Sequence, residues 1–169
     1  MKDILFKTDD YVFSYRVAGV CVRDGCVLLQ KPTNDTAHAF PGGHVALEET
    51  HAQTLIREFR EEIGAEIMVG ELMWVGELFF PWGDKPCQQI CLYYAVDIID
   101  DHTPTVGKFM GIEHWEHRKF DMEFYWIPFE KLTEIEVYPM KTANLLAAAG
   151  VQHFRYWEDS ETKKEEILP

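Results

Sequence analysis

A chain of 169 residues, 47% apolar and 14% aromatic, is long enough for one domain with a real core and too apolar to be disordered. Its formal charge of −13 argues against a long nucleic acid or an anionic membrane as partner, because bulk electrostatics would oppose both. A polyphosphate substrate would need a local positive charge, which a divalent cation supplies.

The N-terminal MKDILFKTDD has no apolar leader core, and no apolar run approaches the roughly 18 residues of a membrane span, so a cytoplasmic location is expected. Residues 16–22 alternate toward apolar and β-branched types, Asp24-Gly25 marks a turn, and residues 26–30 resume the run, which predicts a β-hairpin. Cys21 and Cys26 flank that turn. Cys87 and Cys91 fall on one face of a strand, where core packing is the plain reading. Residues 31–37 read as a polar loop, and Phe40-Pro41-Gly42-Gly43 is turn chemistry.

Residues 50–63 carry the clearest helix. Thr50 and Gln53 form a capping box, Gly64 stands where a left-handed residue closes a helix, and Ala52, Leu55, Ile56, Phe59 and Ile63 make an apolar stripe. Strands follow over 73–75, 77–80 and 90–98, with a turn at 81–84. A short strand over 124–128 and a helix over 138–149, with Pro139 in its first turn, complete the elements. Strands interspersed with two helices predict an α+β layered fold: a single domain over 1–157 and a loose charged tail over 158–169.

The helix carries an unusual charge pattern. Glu58, Glu61 and Glu62 crowd an arc of about 100° beside the apolar stripe, with Arg57 alongside. Like charges three and four residues apart destabilise a helix by about 0.2–0.5 kcal/mol per pair, so a solvated face would interleave signs. Three gathered carboxylates suit a hard cation such as magnesium or manganese.

With the preceding loop, the segment reads Gly43-x5-Glu49-x7-Arg57-Glu58-Phe59-Arg60-Glu61-Glu62-Ile63-Gly64-Ala65. It resembles the box of the Nudix family, with all seven fixed residues in register and only Ala65 smaller than usual. The resemblance extends from about Tyr11 to Ala149 and implies the family's α/β/α sandwich around a mixed sheet. It implies that Glu58 and Glu62 are the main metal carboxylates, that Glu61 is a further ligand or water-holding group, and that the Gly42 carbonyl is another ligand. Glu49 and Arg57 would pair to fix the loop against the helix. The implied mechanism is attack of a metal-activated water on phosphorus.

Outside the box the signals are sparse. The resemblance further implies an additional acid from a later loop, among Glu113, Glu116, Asp121 and Glu123, with Asp121 or Glu123 preferred; His114 and His117 are alternatives. Lys31 and Phe40 are candidates for the substrate's phosphate and base, and Trp74, Phe79, Phe80 and Trp82 for a stacking wall. Pro81, 16 residues after the box, resembles a marker of ADP-ribose pyrophosphatases, and Trp82 takes the next place, where the dinucleoside-polyphosphate group tends to have Tyr.

The resulting expectation is a Mg²⁺- or Mn²⁺-dependent pyrophosphohydrolase acting on a nucleoside diphosphate linked to another moiety. ADP-ribose or a nucleotide sugar comes first and a nucleoside triphosphate next, and a homodimer is compatible. The competing reading is a non-catalytic nucleotide-sensing module, which would be expected to lose box carboxylates that this chain keeps. A prenyl-diphosphate isomerase would need a catalytic Cys in a family motif, and none of the four cysteines lies in one. RNA decapping conflicts with the charge and the absence of a basic stripe.

Overall fold

The computed structural model describes residues 2–115 and 118–168, without the side chains of residues 114, 115 and 118. In chain order the strands are β1 (Leu5–Lys7), β2 (Val12–Val20), β3 (Val22–Arg23), β4 (Cys26–Pro32), β5 (His38–Ala39), β6 (Gly42–His44), β7 (Ile67–Trp82), β8 (Lys85–Ile98), β9 (Lys108–Trp115), β10 (Arg118–Pro128), β11 (Val137–Tyr138), β12 (Gln152–Glu158) and β13 (Lys163–Ile167). The helices are α1 (His51–Ile63) and α2 (Thr142–Ala147).

Two sheets form. The larger runs β1-β2-β8-β7-β12-β13 with β6 on β2, and the smaller runs β11-β5-β4-β10-β9 with β3 on β4. Pairing is mixed: β2 with β8, β7 with β12 and β5 with β11 are parallel, and the remaining ladders are antiparallel. Alternation along the central strands divides the core in two. One cluster takes Val17, Leu55, Phe59, Val96 and Phe124, with α1 supplying Leu55 and Phe59. The other takes Ala18, Trp74, Tyr93, Phe154 and, from α2, Leu145. Helices therefore pack against both cores, which is the predicted α+β sandwich.

The box helix forms for the local reasons its sequence supplies. Thr50 caps it, accepting from the Gln53 N–H at 3.3 Å while the Gln53 side chain accepts from the Thr50 N–H at 2.9 Å. Gly64 closes it in the left-handed region at φ 71°. The buried positions are Thr54, Leu55, Phe59 and Glu62, and Ala52 is exposed, so the inward stripe is rotated from the purely apolar one and includes a carboxylate.

The second half departs further from the reading. Residues 138–149 are not one helix: Val137 and Tyr138 pair with His38 and Ala39, and α2 starts only at Thr142. The predicted strands over 73–75 and 77–80 are parts of the single long β7. Within the tail expected over 158–169, residues 163–167 are ordered: β13 pairs with β12, and its Glu165, though acidic, is buried. Glu165 accepts from the Met140 and Lys141 N–H groups at 2.8 and 2.7 Å, tying this strand to the start of α2.

Candidate active site

The box loop reaches the helix because two glycines let it. Gly42 lies at φ +149°, and a Cβ there would overlap the Val17 carbonyl on the neighbouring strand. A Cβ on Gly43 would occupy the place of the Glu58 carboxylate, which lies flat against that backbone. Arg57 then joins loop to helix. It donates through Nε and Nη2 to the two Glu49 oxygens at 2.9 and 3.0 Å, through Nη1 to Glu58 at 2.7 Å, and through Nη2 to the His44 carbonyl at 3.3 Å. Thr54 donates to Glu49 at 2.9 Å. The Arg57 bond first of all holds the Glu49 carboxyl below its ordinary range.

The three helix acids differ sharply. Glu61 is 45% exposed, with only a 3.4 Å contact to Arg57. Glu58 is mostly covered; burial pushes its carboxyl up and Arg57 pulls it down, with the net shift upward. Glu62 is 5% exposed, and its Oε2 is buried without a hydrogen-bond partner. Burial, then the charges of Glu58 and Glu113, drive the Glu62 carboxyl well above the ordinary glutamate range. A buried carboxylate lacking partners costs several kcal/mol unless a cation meets it, so the site suits one.

Among the described residues, no three His, Cys, Asp or Glu side chains form a complete cage. The groups that could hold a cation here are the Glu58 and Glu62 carboxylates together with the Gly42 carbonyl. All are hard oxygens of the kind magnesium and manganese prefer. The Gly42 carbonyl accepts from Arg16 Nη2 at 3.0 Å.

The later acids are sorted by register. A Cβ on Gly111 would lie 2.7 Å from the Glu62 carbonyl oxygen, so β9 packs on the end of α1. Glu113, two residues on, shares that face, and its charge acts on Glu62. Asp121 pairs with Ile112, on the opposite face of the hairpin, although it lines the adjoining cleft. Glu123 is engaged elsewhere: Lys31 lies 2.8 Å away, and Lys108 and the Tyr125 hydroxyl lie 2.5 Å away. Lys108, then Lys31 and Tyr125, bring its carboxyl down to about 2. Of these acids, among the described residues, Glu113 is thus the one whose charge acts on Glu62, Asp121 lines the cleft from the other face of the hairpin, and Glu123 is engaged by Lys31 and Lys108. Glu116, His117 and the His114 side chain lie outside the described residues.

Neither of the two substrate candidates lines that cleft. Phe40 is 3% exposed and packs edge-on against Trp74 and Tyr93 at 5.3 and 5.8 Å, so it belongs to the core. Lys31 is held by Glu123 and by the Asp35 carbonyl at 2.8 Å. Trp74 is buried, and Phe79 stacks on Trp157. Trp82 does line the cleft beside the carboxylates, with Arg16, Thr33, Asn34, Glu113 and Phe120, in a volume of about 580 Å³. Pro81 faces a different cavity, of about 520 Å³, beside Tyr11 and Asp159. A cleft residue that sequence reasoning passed over is Arg16; its one signal is a charge inside a mostly apolar strand.

The arrangement joins a carboxylate cluster to an open, partly aromatic cleft. No helix among the described residues is long and apolar enough to cross a membrane.

Comparison with known proteins points the same way. The NUDIX domain model matches residues 14–148. A CTP pyrophosphohydrolase of Escherichia coli (strain K12) is 48% identical over 59 residues, which are 32% of this chain and 44% of that protein. The chain thus spans less than half the length of that curated relative. The solution structure of the E. coli ORF135 protein is 25% identical, with a TM-score of 0.52, covering 80% of this chain and 89% of that one. A MutT protein from Bacillus halodurans shares the fold at a TM-score of 0.64 and 12% identity, over 91% of this chain and 97% of that one.

Proposed function

Because the chain belongs to the Nudix domain family, we propose that it is a divalent-cation-dependent pyrophosphohydrolase of nucleoside phosphates. The observation that carries this reading is the buried, unpartnered Oε2 of Glu62, set among Glu58, Glu113 and a cleft wide enough for a nucleotide. A sensing module would have no reason to keep so costly a carboxylate.

Glu58, Glu62 and the Gly42 carbonyl would hold Mg²⁺ or Mn²⁺, with Glu61 at the exposed rim. The bound cation would neutralise phosphate charge and make a water more acidic. Glu113 would accept the proton of the attacking water, a role supported by its charge acting on Glu62. The water oxygen bonds to phosphorus, the bridging P–O bond breaks, and the two products each leave with a phosphate group. Arg57 keeps Glu58 and the Glu49 loop in place throughout. Trp82 and Phe120 offer the cleft's aromatic surfaces to the base.

On substrate, a nucleoside triphosphate now ranks ahead of ADP-ribose or a nucleotide sugar. Pro81, the marker favouring ADP-ribose, faces away from the cleft. The relative at 48% identity over 59 residues is named for a nucleoside triphosphate. The test is a panel of nucleoside triphosphates, nucleotide sugars, ADP-ribose and dinucleoside polyphosphates, with Mg²⁺ or Mn²⁺. Metal-dependent cleavage that disappears in Glu62→Gln supports the reading. Nucleotide binding without turnover of any compound would overturn it in favour of the sensing module.

A further inference from the structure

The net charge of −13 leaves a problem at the cleft, since Glu113 and Asp121 line it beside Glu58 and Glu62 and the proposed substrate is a polyanion. Most nearby cations are committed. All three nitrogens of the Arg57 guanidinium bond to Glu49, Glu58, Glu61 or the His44 carbonyl. Lys31 and Lys108 converge on Glu123. Among the described residues lining the cleft, Arg16 is the cation.

Its placement is specific. Arg16 lies in the middle of β2, opposite His44 of β6 on one side and Cys91 of β8 on the other. A charge among central strands is expensive unless it is used. Arg16 Nη2 donates to the Gly42 carbonyl at 3.0 Å, which orients the guanidinium at the edge of the carboxylate site. A guanidinium carries five N–H donors in a planar fork, and the bond to Gly42 uses one.

We propose that Arg16 is the substrate-phosphate-binding residue of this cleft: anchored through Gly42, it presents its remaining donors to a phosphate oxygen of the bound nucleotide. The inference rests on the phosphoanhydride reading above and adds to it the group that offsets the substrate's charge. It also predicts that the fork geometry matters and not the charge alone, because an ammonium cannot hold the Gly42 carbonyl and a phosphate as a planar pair.

The test uses the full chain with Mg²⁺ and methylenebisphosphonate, a P–C–P analogue that cannot be cleaved, titrated calorimetrically into wild type, Arg16→Ala and Arg16→Lys. Loss of a hydrogen bond to a charged group is expected to weaken binding about ten- to a hundredfold in Arg16→Ala. Arg16→Lys should fall between the two, and added guanidinium should recover part of the loss in Arg16→Ala. With the best nucleotide of the panel, KM should rise more than kcat falls. Thermal midpoints without the analogue report folding; if Arg16→Ala is unfolded, the Lys variant against wild type decides. Equal binding by wild type and the folded variants overturns the inference while leaving the hydrolase reading intact. Arg16-dependent binding without turnover of any nucleotide supports the inference and overturns the hydrolase reading. A wild type that neither binds the analogue nor cleaves a nucleotide overturns both.

Discussion

Arg57 grips the Glu49 carboxylate with two near-parallel bonds, Nε to Oε1 at 2.9 Å and Nη2 to Oε2 at 3.0 Å, and both side chains are less than one-fifth exposed. The pair spans the junction of loop and helix, so it fixes where the glycine backbone meets Glu58. Glu49→Gln should destabilise the fold by about 1–3 kcal/mol, because a partly buried guanidinium loses a charged partner. Urea midpoints of Glu49→Gln, Arg57→Met and the double variant give the coupling. A coupling indistinguishable from zero would mean that the pair is incidental.

Glu62→Gln should stabilise the metal-free protein and abolish its response to metal. The native carboxyl lies well above the ordinary 4.5, driven there first by burial. Above 4.5 the native state therefore holds a proton that the unfolded chain has released. Stability falls as pH rises through that interval, and a glutamine does not titrate. The stability advantage of Glu62→Gln should grow as pH rises above about 4.5 and reach about 1–3 kcal/mol, the cost of a buried group lacking partners. Thermal melts in chelator across pH 4–8 measure it, and parallel curves for the two proteins would refute it. Adding Mg²⁺ or Mn²⁺ should raise the wild-type midpoint only.

What the sequence made legible was mostly local. The capping box of Thr50 and Gln53 and the closing Gly64 involve near neighbours, so spacing alone located α1. The box acids were readable because a helix fixes which side chains share an arc, though not which of them is buried; Glu62 and Glu61 are adjacent and yet opposite in exposure. What failed was non-local. Glu113 and Asp121 both precede the strand expected over 124–128, and only the β9–β10 register, with Phe120 opposite Glu113 and Asp121 opposite Ile112, sends them to different faces. Glu123 looked available until Lys31 and Lys108 closed on it from two neighbouring strands. Residues 163–167 have no apolar pattern, and their order depends on Glu165 finding two N–H groups more than twenty residues away.

Gly43→Ala should be a severe site variant with a small effect on folding. The added Cβ falls on the Glu58 carboxylate, not on the core, so the side chain must swing away from Glu62. Metal affinity should fall by about two orders of magnitude, the upper end of what disturbing ligand support produces. Manganese titration followed by electron paramagnetic resonance checks this. Unchanged affinity would show that Glu58 does not need its place against Gly43.

Glu113→Gln and Glu123→Gln make opposite predictions from two acids ten residues apart in sequence. Glu113 acts electrostatically on Glu62 from β9, so Glu113→Gln should lower kcat by about 10²–10⁴, the usual contribution of a general base, with the thermal midpoint little changed. Glu123 lies among Lys31, Lys108 and Tyr125, so Glu123→Gln should leave kcat near wild type. Its effect should appear in acid. With its native carboxyl at about 2 against an ordinary 4.5, Glu123 contributes stability that is fully present above 4.5 and is lost as pH falls toward 2. The Gln variant lacks that contribution, so it should be less stable than wild type at neutral pH and converge with it near pH 2. If the kinetic effects of the two variants were exchanged, the assignment of the base by strand register would be wrong.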